Sequence, residues 1–272
     1  MKRTKRKALG QHFLKDPHVL GKIIRQIAPD KEDVIIEIGA GKGALTFPLA
    51  RKAGKIIALE KDRILLPTLQ KNPPPNVVIL NVDVLKIDFR ELVTEDLSLN
   101  KTVKLAGNLP YSISSPVLFK VLDEKAIFEE CTFLLQKEVA DRLCAGPGSK
   151  KFAPISILFQ RVFFISLCFV VEPGSFSPPP KVRSALVELK KREKPLFELS
   201  NEDVFRRFLK LSFRHRRKTL FNNLLMAGYD DAVLQDVFAE LDLDKKVRPE
   251  HIEPEQFARL FNFLENFGIM ES

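Results

Sequence analysis

An α/β fold is what this sequence predicts: a mostly parallel sheet with an antiparallel edge strand, followed by a small all-helical domain. Three observations carry that expectation. Short runs rich in Val and Ile alternate with helical periodicity through the first two-thirds of the 272 residues. Those runs are apolar at successive positions, as in strands covered by helices on both faces. Beyond residue 200 only helical spacing remains. Hydrophobic residues make up 45% and charged residues 29%, the balance of a globular chain that can bury one large core and a smaller second one.

Taken in order, Asp16 to Ala28 reads as a helix. Val19, Leu20, Ile23, Ile24 and Ile27 recur at helical spacing, Asp16 suits the cap and Pro17 the first turn. Val34–Ile38 is a short apolar strand, joined by a glycine turn to a helix from Gly43 to about Lys52. Further strands are expected at 55–60, 77–82 and 103–107, with a helix after each of the first three strands. A helix at 112–123, a strand at 131–136, helices around 137–145 and 153–162, and strands at 163–171 and 184–190 complete the region. The last two strands have no long crossover helix between them, which predicts the antiparallel edge. The run Val162 to Val171, β-branched and aromatic, reads as a buried strand and is too short for a bilayer, which needs about 20 residues. A charged linker near 190–200 then divides a domain over 1–192 from a helical domain over 193–272.

Composition narrows the function. Cys131, Cys144 and Cys168 are widely spaced in apolar surroundings, which argues against a disulfide framework or a zinc site and suits a reducing compartment. The basic N-terminus is followed by no apolar stretch of the secretory type, so a cytoplasmic protein is expected. The net charge of +9 attracts polyanions, and its placement is uneven. Lys2, Arg3, Lys5, Arg6 and Lys7 form one basic cluster. Arg206, Arg207, Lys210, Arg214, Arg216, Arg217 and Lys218 form another, followed over 219–244 by a stretch whose charged residues are all acidic. Arg207, Lys210, Arg214, Arg217 and Lys218, three and four apart, predict one basic helix stripe; in isolation such a stripe reads as a solvated face.

Glu37-Ile-Gly39-Ala-Gly41-Lys-Gly43 joins the first sheet strand to its helix, at the sheet edge where open α/β folds bind ligands. By itself this turn also fits a dinucleotide fingerprint, with Glu60 as the ribose acid. Glu37 favours a different ligand, since a carboxylate there repels a pyrophosphate and suits a sulfonium or an ammonium. Glu60 offers a bidentate acceptor for two ribose hydroxyls. Asp83, after the third strand, suits an adenine amino group, although alone it reads equally as a turn cap.

Asn108-Leu109-Pro110-Tyr111 follows the next strand at the same edge. As a bare motif it is a turn. Its chemistry is more specific. An exocyclic adenine amine is a poor nucleophile because its lone pair is delocalised. The Asn108 side-chain oxygen and the Leu109 carbonyl can accept both N–H groups and localise that pair. Pro110 biases Leu109 away from helical angles, and Tyr111 offers a stacking ring.

With Gly10-Gln11-His12-Phe13-Leu14 near the start and Phe176-Ser-Pro-Pro-Pro-Lys-Val-Arg-Ser184 later on, this series resembles the KsgA/Erm family of ribosomal RNA adenine dimethyltransferases over nearly the whole chain. Leu109, Phe213 to Asn223 and Arg248-Pro249-Glu250 resemble the small-subunit branch; the large-subunit branch usually carries Ile at the position of Leu109. The resemblance implies a Rossmann-like class I methyltransferase sheet. It also implies S-adenosylmethionine bound by Gln11, His12, Leu14, Gly39, Gly41, Glu60, Lys61, Asp83, Val84 and Asn108. Asn108, Leu109, Pro110, Tyr111 and Phe176 would be catalytic, with Tyr111 and Phe176 sandwiching the target adenine. Lys181, Arg183 and the five residues of the basic stripe would contact RNA, and no metal is expected. The implied partner is 16S rRNA in an immature 30S subunit, met by a monomer away from any membrane. A large-subunit methyltransferase and a non-catalytic assembly factor are the alternatives.

Overall fold

The computed structural model describes residues 11–99 and 101–266; the basic cluster at 2–7 and Gly10 lie outside the described residues. The chain forms two compact units. One comprises residues up to Ala140 with Phe164–Lys191; the other comprises Asp141–Phe163 with residues from Arg192 onward.

In the first unit, β1 (Phe13–Leu14) leads into α1 (Pro17–Ile27). Asp16 Oδ1 accepts the backbone N–H groups of His18 (2.9 Å) and Val19 (3.3 Å), donors that a helix start leaves without partners. Then come β2 (Asp33–Ile38), α2 (Thr46–Ala50), β3 (Lys55–Leu59), α3 (Leu66–Leu69), β4 (Val77–Leu80), α4 (Phe89–Ser98), β5 (Thr102–Asn108), α5 (Ser114–Asp123), β6 (Glu130–Gln136) and α6 (Lys137–Leu143). After α7 (Pro154–Val162), which lies in the other unit, come β7 (Phe163–Val171), β8 (Phe176–Ser177) and β9 (Ser184–Lys191).

Seven strands form one sheet in the order β4-β3-β2-β5-β6-β9-β7, while β1 and β8 form a separate antiparallel pair. Strands β4 to β6 run parallel and β9 runs antiparallel to β6, as the missing crossover helix predicts. Register places the chemistry. Ile38 lies beside Leu59 and Gly107, and Asn108 beside Leu134, so the residues that follow β2, β3 and β5 emerge at one sheet edge. Because β9 is antiparallel, its first residue, Ser184, pairs with Gln136 at that same edge.

One expectation is corrected here. The apolar run at 163–171 is a strand, but it is the edge strand. Its two ends, Phe163 and Val171, are buried, whereas Phe164 is 57% exposed and Val170 is 38% exposed. The interior position is taken by β9, whose first six residues are all buried.

The second unit contains α8 (Glu202–Ser212), α9 (Leu220–Met226), α10 (Asp231–Glu240) and α11 (Pro254–Asn266). Asn201, Thr219 and Asp230 cap the first three of these through side-chain oxygens. Phe205, Phe208, Phe257 and Phe261 make edge and tilted ring contacts in its core. Helix α7 belongs to this unit as well. Arg161, buried on α7, donates from Nε to the Phe197 carbonyl (3.0 Å) and from Nη1 to Glu202 (3.1 Å). The chain crosses between the two units at 140/141, 163/164 and 191/192, where the sequence predicts a single division at 192/193. Helical periodicity at 153–162 carries no sign of which unit its apolar face joins.

Gly107 gives this architecture a sharp test. A Cβ there would lie 2.5 Å from the Ile38 carbonyl oxygen on the adjoining strand, which is backbone and cannot rotate away. Gly107→Ala is expected to cost about 1–3 kcal/mol of stability by overpacking. A denaturant midpoint equal to wild type would show that β2 and β5 separate more easily than this register implies.

Candidate active site

The glycine turn passes through left-handed backbone at Gly39, Gly41 and Gly43. At Gly41 (φ 59°) a Cβ would also meet the Phe13 ring at 3.3 Å, so the absence of a side chain lets β1 lie directly on the turn. Glu60, just past β3, is buried and binds that turn from below. Its Oε2 accepts the Gly41 N–H at 2.8 Å and its Oε1 accepts the Asp62 N–H at 2.7 Å. Each carboxylate oxygen keeps a second lone pair for a ligand hydroxyl.

Two cavities meet at this edge. The larger, about 980 Å³, is walled by Leu14, Leu20, Ile23, Leu45, Leu134 and Leu186, with Glu37 among its polar lining. The smaller, about 120 Å³, is lined by Glu60, Lys61, Asp83, Val84, Leu109, Pro110 and Tyr111. Gln11, His12, Phe13, Gly39, Gly41 and Asn108 border both. Glu37 is 3% exposed and its Oε2 has no hydrogen-bond partner, nor does the buried Oε1 of Gln11. Burial pushes the Glu37 carboxyl up to about 7; the nearby Thr46 hydroxyl opposes this and the Glu60 charge adds to it. An unpartnered buried carboxylate at a cavity wall is where a cationic ligand group gains most.

Asn108 ends β5 between the two cavities. Its Nδ2 donates to the His12 carbonyl at 2.9 Å, which leaves its Oδ1 free to accept from a ligand. The His12 ring is held in turn: Nδ1 lies 2.8 Å from the Pro178 carbonyl, so that nitrogen carries the proton. The His12 and Tyr111 rings are 5.4 Å apart at 36°, and the Tyr111 hydroxyl pairs with Ser184 Oγ at 2.6 Å. Burial raises the Tyr111 pKa, keeping that hydroxyl neutral. Leu109 is buried, and its N–H donates to the Leu134 carbonyl at 3.2 Å. Ser184 was not singled out by sequence reasoning; its place at the end of the Phe176–Ser184 motif was the available signal.

Phe176 departs from expectation. It is 1% exposed, opposite Leu14 in the β1–β8 pair, and belongs to the hydrophobic core with Leu14, Leu186 and Val171. It lines neither cavity, whereas its neighbours Ser177 and Pro178 line the larger one. In this conformation the paired β1 and β8 turn the ring into the core and not toward the base site expected for it. Asp83 is met by Lys61 Nζ at 2.7 Å and caps Leu85 N at 3.2 Å; the Lys61 hydrogen bond chiefly holds its pKa down.

The residues expected to contact RNA are all exposed: Lys181 and Arg183 in the first unit; Arg207, Lys210, Arg214, Arg217 and Lys218 in the second. The single helical stripe is not formed. Helix α8 ends at Ser212, so Arg207 and Lys210 are helical while Arg214, Arg217 and Lys218 lie in the turn after it. Asn223, buried on α9, shapes that turn. Its Oδ1 accepts the His215 N–H at 2.9 Å, and its Nδ2 donates to the carbonyls of His215 (3.2 Å) and Thr219 (3.0 Å). Among the described residues no group of three or more His, Cys, Asp or Glu is placed to hold a metal ion.

The family model described as ribosomal RNA adenine dimethylase matches residues 2–266. A ribosomal RNA small subunit methyltransferase A from Shouchella clausii is 40% identical over 266 residues, covering 96% of this chain and 90% of that protein. The protein of the same name from Geobacter sulfurreducens is 42% identical over 259 residues, covering 94% and 93%. Among solved structures, a dimethyladenosine transferase from Plasmodium falciparum aligns at TM-score 0.80 and 26% identity over 95% of this chain and 99% of its own. The 23S rRNA methyltransferase ErmE aligns at TM-score 0.71 and 24% identity over 93% of this chain and 99% of its own, a likeness of fold.

Two outcomes follow from the burial pattern. A carboxyl near 7 in the folded chain and 4.5 in the unfolded one takes up protons on folding between those values. Its favourable contribution is complete below pH 4.5 and lost as pH rises through 7. Relative to wild type, Glu37→Gln is expected to gain stability as pH rises from 5 to 8, by on the order of 3 kcal/mol at most. Denaturant midpoints of both proteins across that range check this, and parallel curves would refute it. Phe176→Ala is expected to destabilise the fold by about 3–5 kcal/mol; a wild-type melting curve would refute the core role of this ring.

Proposed function

The chain belongs to the ribosomal RNA adenine dimethylase family, and on that premise we propose how it dimethylates two adjacent adenosines near the 3′ end of 16S rRNA. The observation that carries the reading is the Asn108 amide, turned by the His12 carbonyl so that Oδ1 is left at the junction of the two cavities.

The residues at this edge fit S-adenosylmethionine. Glu60, anchored on Gly41 and Asp62, keeps lone pairs for ribose hydroxyls, and Asp83 and Val84 border the smaller cavity where a purine would lie. The unpartnered oxygens of Glu37 and Gln11 suit the ammonium and sulfonium end, with Leu14 and Gly39 closing that arm. Bound there, S-adenosylmethionine supplies a methyl group on a cationic sulfur that leaves as a neutral thioether.

The protein's own part is positioning. Asn108 Oδ1 and the Leu109 carbonyl accept the two N–H bonds of the target amine and draw its lone pair out of the purine ring. Pro110 restricts the Leu109 backbone, so its carbonyl is set before the base arrives. Tyr111, tethered through Ser184, presents a ring against which the base stacks. The target base must be unpaired or extruded to reach this edge. The amine proton then passes to water, and no strong base is required. Phosphates are met by Lys181, Arg183, Arg207, Lys210, Arg214, Arg217 and Lys218, whose exposure leaves them available.

The reading places the substrate within an immature 30S particle, and the protein in the cytoplasm as a monomer. Among the described residues Cys131, Cys144 and Cys168 form no disulfide, which suits a reducing compartment. No helix among the described residues is long and apolar enough to cross a membrane. Leu109 and the higher identity to small-subunit enzymes favour this substrate over large-subunit rRNA.

Purified protein incubated with methyl-labelled cofactor and undermethylated 30S subunits should place the label on two adjacent adenosines near the 16S 3′ end. Asn108→Ala should lower the methylation rate by roughly 100-fold or more, while cofactor affinity falls only several-fold. Label elsewhere, or an Asn108→Ala enzyme of undiminished rate, would overturn the reading.

A further inference from the structure

Lys61 has no part in the mechanism above, yet it is the residue that reaches Asp83. Its Nζ lies 2.7 Å from Asp83 Oδ2, while Asp83 Oδ1 accepts the Leu85 N–H at 3.2 Å. The Lys61 side chain is 61% exposed and that of Asp83 only 17%. The lysine therefore extends from the rim inward, and both residues line the smaller cavity with Glu60 and Val84. Lysine stems are apolar along their length and charged only at the tip, so one side chain can cover a ring and fix an anion.

We propose that Lys61 is a specificity-determining positioning residue for the purine end of the cofactor. Its ammonium pins Asp83 Oδ2, and the Leu85 N–H holds Oδ1. A carboxylate held at both oxygens is fixed in orientation, and each oxygen keeps one lone pair for a ligand. That fixed acceptor selects a purine carrying an exocyclic N–H donor. Without the ammonium, Asp83 keeps its charge but loses its second anchor, and the selection weakens. The inference rests on the cofactor placement proposed above.

The test compares binding of S-adenosylhomocysteine with its analogue bearing hydrogen in place of the 6-amino group, measured by calorimetry. Asp83→Ala should bring the two affinities close together, which tests the cofactor placement itself. Lys61→Met keeps an unbranched apolar stem only one atom shorter and removes the charge. It should reduce the wild-type preference for the amino form by roughly 3- to 10-fold, a range equal to about 0.7–1.4 kcal/mol. Lys61→Arg should restore that preference. A purely structural or covering role for Lys61 would weaken both ligands equally and leave their ratio unchanged, which would overturn the proposal. If Asp83→Ala leaves the wild-type preference intact, the cofactor placement fails and this inference fails with it. Intact Asp83-dependent selection with a neutral Lys61→Met removes the lysine's role alone.

Discussion

A carbonyl oxygen can only accept a hydrogen bond, so the 2.9 Å contact between Asn108 Nδ2 and His12 O determines which end of that amide faces the N-terminal strap and which faces a ligand. Everything proposed for the site depends on that orientation. Reversed, the amide would present N–H groups to an amine that itself donates, and the polarising hydrogen bond would become a repulsion. The strap that imposes the orientation is held at several points. The Lys15 N–H donates to the Ser175 carbonyl at 2.9 Å, Ser175 Oγ bonds Asp16 at 3.1 Å, and the His12 ring reaches Pro178. Short segments rarely hold a fixed geometry alone; here two of them, on β1 and β8, hold each other.

This arrangement ties the cofactor edge to the base edge. Residues 11–15 line the larger cavity, while the loop that fastens them, 175–178, supplies part of the same wall. Phe176 explains the price of this arrangement: its ring fills the core beneath β8 instead of facing Tyr111. The base platform proposed here is then Tyr111 with His12 beside it, both fixed by hydrogen bonds to this loop or to Ser184 just beyond it. Stacking on one anchored ring suits a base that must enter, react more than once and leave.

Much of this was legible in the sequence because it follows from short-range rules. The capping of α1 by Asp16, the glycine turn after β2 and the positions of Glu60, Asp83 and Asn108 after successive strands all depend on spacing that register preserves. What was not legible depends on long-range partners. Hydrophobicity at 163–171 identifies a strand but not its rank in the sheet, which β9 decides by inserting beside β6. Spacings of three and four among Arg207, Lys210, Arg214 and Arg217 suggest a helix, yet Asn223 holds residues 213–219 as a turn from eight positions away. Phe176 carries no mark of its own burial, which results from pairing with Leu14 across the chain.

The two glutamates that flank the glycine turn show how a site can be prepared for a charged ligand. Glu60 has both oxygens on backbone N–H groups, so its geometry is complete and a ligand hydroxyl only adds to it. Glu37 has an oxygen with no partner inside a largely apolar wall, and burial raises its pKa to about 7. A neutral glutamine would remove that strain, and stability alone gives no reason to retain the acid. The reason must lie in what the carboxylate meets. A ligand cation placed against it gains an interaction that water does not screen, and the empty protein carries the cost of keeping that position unsatisfied. A pyrophosphate gains nothing from the same group and is repelled by it. The acid two residues before the first glycine therefore separates a sulfonium site from a dinucleotide site built on an otherwise similar turn.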